Sequence, residues 1–358
     1  MTSTPAAVET PYNEKALDAK TKRLNAILAS MDRVLVGYSG GVDSALLAVA
    51  AHRVLGARAI AVTADSESYA SGELERARDI TERFGIHHEV VQTDELSNPE
   101  YAANPVNRCY FCKQALFIHM GRLAEEKNAS HILYGQNTDD VGDFRPGAEA
   151  AKEYGVRAPL KEAGFNKEDV RQLARRWDVP VWNRPAMACL SSRFPYGTPI
   201  DAAQLRMVDR AEAFLRQEGY EQLRVRHHTD IARIELPPAD LDAMLANADA
   251  CARIADALTE AGYARVTADL RGFRSGSLNE VLQAPAMDPA ESASQTAALL
   301  ETAFPGAHES QRQGQMLVLR LQADAIAGLA HTDARTPLLD GLGQLGLRYL
   351  ALDLKPRT

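Results

Sequence analysis

Val34-Leu35-Val36-Gly37-Tyr38-Ser39-Gly40-Gly41-Val42-Asp43-Ser44-Ala45-Leu46-Leu47-Ala48 decides the fold of this chain. The apolar run 34–38 fits a buried strand, and the alanine- and leucine-rich segment 45–55 fits a helix. Two glycines between them let the backbone curl tightly and bring its N–H groups up to an anion. The helix start behind adds a positive partial charge, and Ser39 and Ser44 contribute hydroxyls. A lone Gly-Gly after a strand marks only a tight turn. The whole Ser-Gly-Gly-Val-Asp-Ser string in a strand–loop–helix setting points instead to a phosphate cradle. No Gly-Lys-Ser/Thr follows, so the loop is not of the Walker type.

Outward from this loop, strands and helices alternate. An amphipathic helix is expected over 12–31, and further strands over 59–64, 88–92 and 131–134. Helices are expected over 73–84 and 167–177. That order predicts an α/β fold, a doubly wound parallel sheet, in a first domain over 1–196. Ligands then sit beyond the carboxyl ends of the strands, where Ser39, Asp65 and Gly135-Gln136-Asn137 fall. After Tyr196 a smaller α+β domain is expected over 197–282. Its parts are a helix at 202–217, strands at 223–228 and 231–236, a helix near 241–261 and a strand at 264–270. Residues 283–294, with two prolines, read as a linker. Beyond it, GLRYLALDLK (346–355) resembles GYARVTADLR (262–271), and the strand at 317–321 echoes the one at 223. Residues 283–358 therefore read as a linker and a degenerate repeat of the second domain, without its His and Arg cluster.

Composition bounds the function classes. The chain has 358 residues, 46% hydrophobic, enough for more than one core. A net charge of −8 argues against a large nucleic-acid footprint, which clusters Lys and Arg. Residues 1–10 lack the basic start and apolar run of a secretory signal. No stretch approaches the ~20 apolar residues of a membrane span. A cytoplasmic enzyme with no membrane or nucleic-acid partner is the expectation. Four cysteines, Cys109, Cys112, Cys189 and Cys251, are too few for a disulfide framework in such a chain.

The SGGVDS string resembles the PP-loop of ATP pyrophosphatases, whose loop grips the pyrophosphate released when ATP adenylates a substrate oxygen. The resemblance implies that Ser39, Gly40, Gly41, Asp43 and Ser44 bind the phosphates, with Asp43 helping to hold Mg²⁺; a helix N-terminal charge is its alternative role. It places adenine near Thr63, Asp65 and Ser66. Gly135, Asn137 and Asp139 are further nucleotide-side candidates, although Asn-Thr-Asp-Asp is also good loop chemistry.

Cys109-Tyr-Phe-Cys112 followed by a distant Cys189 has several readings: a redox pair, part of a zinc site, part of an iron–sulfur site, or buried structural thiols. Three thiolates could hold a four-iron cluster and leave one iron open to an exogenous sulfide. A zinc site would lack a fourth ligand unless a residue such as His119 supplied it. Cys189 could instead attack an acyl-adenylate directly, with β-elimination leaving its sulfur on the substrate. Arg193 could then lower its pKa or bind the substrate's anionic groups. Cys251 reads as structural.

Taken together, SGGVDS, NRCYFCK (107–113), CLSSRFPYGT (189–198), LRVRHH (223–228) and GFRSGSLNE (272–280) resemble the LarE family over about 13–282. That family transfers sulfur in an ATP-dependent way while building a nickel-pincer nucleotide. The resemblance implies a pyridinium-3,5-biscarboxylic acid mononucleotide substrate, whose carboxylates become thiocarboxylates, and a homo-oligomer. Cys189 matches the family's sulfur-donating position, which some members sacrifice. The Cys109, Cys112 and Cys189 trio favours the members that use a [4Fe-4S] cluster. In the strand at 223–228, alternation sets Arg224, Arg226 and His228 on one face. That face is either solvated charge or a site for a substrate phosphate or carboxylate. The resemblance favours the phosphate site, with Arg271, Arg274 and Ser275 as lesser contributors. A metal site of His228 and Glu235 has no strong spacing behind it. The rival tRNA thiolase would need an RNA-binding module, which the sequence does not display. Amide-forming synthetases that share the loop give no reason for the three cysteines.

Overall fold

The computed structural model describes residues 13–140, 146–185, 188–274, 276–277 and 289–357. Ser275, Leu278, Asn279, Glu280 and the segments read as N-terminal tail (1–10) and linker start (283–288) lie outside the described residues. The chain divides into two compact units: residues 1–101 with 106–187, and residues 102–105 with 188–358.

In the first unit, strands β1 (Val34–Gly37), β2 (Ala59–Asp65), β3 (His87–Gln92) and β4 (His131–Tyr134) form one sheet in the order β3-β2-β1-β4. All neighbouring pairs are parallel. The period of two divides β1 between layers. Val34 and Val36 join the core under helices Glu14–Ala29, Val42–Leu55 and Lys167–Arg176, whereas Leu35 meets Phe117 and Met120 of helix Arg108–Lys127. Helices thus cover both faces, as a doubly wound parallel sheet requires. The chain leaves β1 for β2 on one side and reaches β4 on the other, so the loop after β1 sits at the topological switch point. The 20-residue helix Arg108–Lys127, which carries both Cys109 and Cys112, was not anticipated from sequence.

The second unit is built on β5 (Arg224–His228), β6 (Ile231–Glu235), β7 (Arg265–Asp269), β8 (His308–Gln313), β9 (Met316–Leu321) and β10 (Tyr349–Asp353). They form a single sheet, β5-β6-β7-β10-β9-β8. Val225, Ile234, Ala268, Leu317, Leu319 and Leu352 point into one core with Leu215, Ile254, Leu258 and Leu342 from the helices. The helix expected near 241–261 is two helices, Pro238–Leu245 and Ala248–Glu260. The break falls where the Asn247 side chain accepts from the Ala250 N–H at 3.0 Å and starts the second helix. Helix Pro289–Ala303 likewise starts inside the stretch read as linker; a proline in the first turn is compatible with a helix start. Among the described residues, no helix is long and apolar enough to cross a membrane.

Candidate active site

The loop after β1 has the form that its residue types dictate. Gly40 takes φ +73°, a conformation L side chains rarely adopt. Gly41 is the N-cap of helix Val42–Leu55 and brings no side chain to its first N–H groups. Those donors are therefore left for an anion. The Ser44 hydroxyl donates to Gly41 O at 3.0 Å, accepts from the Ser39 N–H at 3.2 Å and lies 3.2 Å from the Ser39 hydroxyl. Both serines thus face one another across the curl.

Asp43 stands at the first turn, 19% exposed, between two partners. Asn137 Nδ2 donates to Asp43 Oδ1 at 2.9 Å, and Lys167 Nζ pairs with Asp43 Oδ2. Gly135 makes the approach possible, since a Cβ there would lie 2.6 Å from Ser44 N and 2.8 Å from Asp43 C. The loop after β4 is in turn stitched to helix Lys167–Arg176: the Lys167 N–H donates to Asp139 Oδ2 at 2.9 Å, and Thr138 N–H to Phe165 O at 2.8 Å. Asn166 and Asp169 cap that helix reciprocally and fix where Lys167 stands.

A brace runs along the other side of the loop. Tyr69 Oη donates to Ser39 O at 3.0 Å. Glu73 is buried, pairs with Arg76, and takes Arg184 Nη1 at 2.9 Å and Nη2 at 2.7 Å. Burial pushes its carboxyl up, but the two guanidiniums outweigh that and hold it below the usual carboxylate range. Of the adenine-side candidates, Asp65 accepts from Gln92 Nε2 at 2.8 Å and Ser66 lies 3.0 Å from Ser68. Thr63 is buried, with its hydroxyl donating to Tyr38 O at 2.7 Å and 2.8 Å from His88 Nε2. Its side chain is spent on the framework.

None of the four cysteines is in a disulfide. Cys109 and Cys112 stand three apart in the first turns of helix Arg108–Lys127, which puts them on one face. Cys112 Sγ donates to Glu95 Oε1 at 3.6 Å. Cys251 is buried, donates to Met244 O at 3.2 Å, and has its thiol pushed up to about 11 by burial, as a structural cysteine should. Among the described residues, no three His, Cys, Asp or Glu side chains are grouped to hold a metal ion.

Cys189 lies in the second unit, at the N-cap of the 3₁₀ turn Leu190–Arg193. Arg193 is fully buried. Its Nε and Nη2 donate to Glu212 at 2.8 Å each, and its Nη1 to Ala188 O at 2.7 Å and Cys189 O at 3.0 Å. The guanidinium that sequence proximity offered to the thiol or the substrate is occupied in holding the backbone around Cys189. On the sheet face that alternation selects, Arg226 donates to Glu235 at 2.9 Å, Ser192 O at 2.9 Å and Ser277 Oγ at 3.0 Å. Arg233 bridges Glu235 at 3.0 Å and Asp269, and its Nε donates to His228 Nε2 at 3.2 Å. Burial and Arg233 hold His228 neutral, well below its ordinary pKa, so a hydrogen-bonded framework histidine is the geometry observed. Arg224 packs over Phe273, and burial together with Arg193 pushes it down to about 10. Arg271 donates to Leu339 O at 2.8 Å, and Arg274 lies 3.7 Å from Asp269. Lys167, Tyr69, Glu73, Arg184 and Glu212 were not anticipated. Their partners lie far off in sequence, so no local motif announces them.

A parallel sheet with this phosphate loop at its switch point defines a PP-loop enzyme of the ATP-using class. The NAD synthase family profile matches residues 17–103. An uncharacterized protein of Synechocystis is 45% identical over 266 residues, covering 74% of this chain and 99% of that protein. The pyridinium-3,5-bisthiocarboxylic acid mononucleotide synthase of Lactiplantibacillus plantarum is 38% identical over 267 residues, covering 74% and 96%. A GMP synthase of Aeropyrum pernix is 29% identical over 201 residues, covering 51% and 39%. This chain belongs to the LarE family of ATP-dependent, sulfur-transferring enzymes.

Proposed function

We propose that the protein converts the carboxylates of pyridinium-3,5-biscarboxylic acid mononucleotide to thiocarboxylates. The observation that carries this reading is the Asp43–Asn137–Lys167 constellation at the mouth of the phosphate loop. It supports adenylation, and the 38% identity to the Lactiplantibacillus synthase supports the substrate. A substrate carboxylate oxygen attacks the α-phosphorus of ATP, and pyrophosphate leaves into the donors of residues 39–44. A sulfur nucleophile then attacks the acyl carbon, AMP departs with the bonding pair, and the C–S bond remains. AMP leaves readily where carboxylate oxygen would not, and that is the use of the ATP. Thr63, Asp65 and Ser66 flank the adenine on this reading.

Asp43 fits a divalent cation: its carboxylate is part-exposed beside the loop. Mg²⁺ bound there would neutralise phosphate charge. Lys167 then leaves Asp43 for the phosphates. In the second unit, Arg224, Arg226 and Arg233 outnumber Glu235 and Asp269 on one sheet face, and the surplus positive charge suits the substrate's phosphate. Arg193 acts as a positioning residue that sets the Cys189 carbonyl.

Cys109, Cys112 and Cys189 would hold a [4Fe-4S] cluster. Supporting this, Cys109 and Cys112 stand three apart on one face of a helix, and none of the three is in a disulfide. Bound there, it would present sulfide to the activated carbon. The test is anaerobic purification with iron and sulfide counted per chain, alongside pyrophosphate release and thiocarboxylate formation from the mononucleotide. About four iron atoms, lost in C109A or C112A, are expected. Iron-free protein that still makes one thiocarboxylate per chain would establish Cys189 as a sacrificial donor instead. Absence of substrate-dependent pyrophosphate release would overturn the adenylation.

A further inference from the structure

The six-stranded sheet of the second unit is two copies of one pattern. Helix Ala202–Gln217, hairpin β5–β6, helices Pro238–Leu245 and Ala248–Glu260, then β7 is the first. Helix Pro289–Ala303, hairpin β8–β9, helices Ala323–Gly328 and Thr332–Gln344, then β10 repeats it. Pairing repeats as well. β5–β6 and β8–β9 are antiparallel, while β6–β7 and β9–β10 are parallel.

The copies meet through β7 and β10, antiparallel, with Ala268 opposite Leu352. Aligning 262–271 with 346–355 makes Ala268 and Leu352 equivalent, so this pair maps onto itself when the copies are exchanged. Its flanking pairs, Thr267–Asp353 and Asp269–Ala351, map onto each other. The junction is therefore a pseudo-two-fold axis, the geometry by which two identical chains pair isologously. Without the second copy, β7 would be an open edge with unpaired backbone groups beside Val266, Ala268 and Leu270. Here Leu270 N–H donates to Leu350 O at 2.9 Å and Leu354 N–H to Val266 O at 3.0 Å.

Carrying the register outward pairs each charged position with its counterpart. Arg224, Arg226, Arg233 and Glu235 correspond to Glu309, Gln311, Val318 and Arg320. The cation cluster is thus present once and dismantled in the repeat. Relatives matched over 99% and 96% of their own lengths cover only 74% of this chain, so about a quarter of it has no counterpart in them.

We infer that residues 289–357 occupy the place of a second copy of this chain, supplying internally a two-fold contact that the shorter relatives make between subunits. The fused arrangement has one cation cluster per junction where a true dimer would have two. Native mass spectrometry of the intact protein and of the Synechocystis relative, at equal concentration, tests this. With contacts elsewhere shared, the relative should hold twice as many subunits as this protein. Any other ratio, equality above all, would overturn the inference. A protease site placed between Ser277 and Pro289 gives a second reading on the full chain. The cleaved halves should stay together as a one-to-one complex at the uncleaved mass; their separation in native buffer would equally overturn it.

Discussion

Glu212→Gln removes one charge from an ion pair with no exposure on either side. The carboxylate accepts from Arg193 twice at 2.8 Å, from Arg216 at 2.9 Å and from the Val225 N–H at 3.0 Å. Glutamine offers one oxygen and turns an N–H₂ toward a guanidinium that cannot lose its proton. Leaving a buried charge unpaired costs about 3–5 kcal/mol. For a unit of this size, about 2–4 °C is lost per kcal/mol, so melting of the second unit should fall by roughly 6–20 °C. Thermal unfolding, with hydrogen exchange of the β5 amides to identify the unit, measures it. Arg193 also holds the Cys189 carbonyl, so thiocarboxylate formation should drop more than pyrophosphate release. The pH dependence has a definite sign. Burial raises the Glu212 pKa, but Arg193 outweighs it and holds the carboxyl below its ordinary 4.5. The wild-type advantage is complete above 4.5 and is lost as the pH falls through the lower folded value. The exposed Arg253–Glu218 pair is the control: Arg253→Ala should leave the melting of the unit nearly unchanged. A change that small for Glu212→Gln, or a deficit unchanged in acid, would refute the assigned role of the pair.

Gly135→Ala drives a methyl into the backbone at Asp43 and Ser44. It should cost about 1–3 kcal/mol of stability and weaken ATP binding about tenfold or more; unchanged affinity by calorimetry would show that the phosphate loop does not depend on this approach. Lys167→Ala should lower the rate of pyrophosphate release by about 10²-fold, as for a lost electrostatic donor, while Mg²⁺ binding stays intact or tightens. A normal rate would mean that Lys167 does no more than fill the space at Asp43.

The first sheet was legible in sequence because its signals are local. Residues 34–48 carry strand, loop and helix start in one string, and 73–84 and 131–134 were bounded correctly. Helix Arg108–Lys127 escaped because its apolar residues do not keep to one face: Leu116, Phe117 and Met120 are buried, whereas Ile118 is exposed, so no clean helical period shows. The site divides in the same way. Ser39 to Ser44 follow from the string itself. Lys167 does not, because a capping box accounts for its neighbourhood and only the fold brings its amine to Asp43.

Arg193 shows where sequence proximity misleads. Four positions from Cys189 on a 3₁₀ turn, it invites a direct role on the thiol, yet Glu212 claims it from a following helix. Burial decides between the readings. A guanidinium with 0% exposure can serve a ligand only by abandoning its carboxylate, at a cost of several kcal/mol. Asp43 and Lys167, at 19% and 34%, keep contact with water and can exchange partners when a nucleotide arrives. The groups that must rearrange are thus left accessible, while those that must hold Cys189 and the sheet in register are locked inside. That division fits the proposed reading, in which adenylation uses adjustable charges of the first unit and Cys189 stands on a rigid frame in the second.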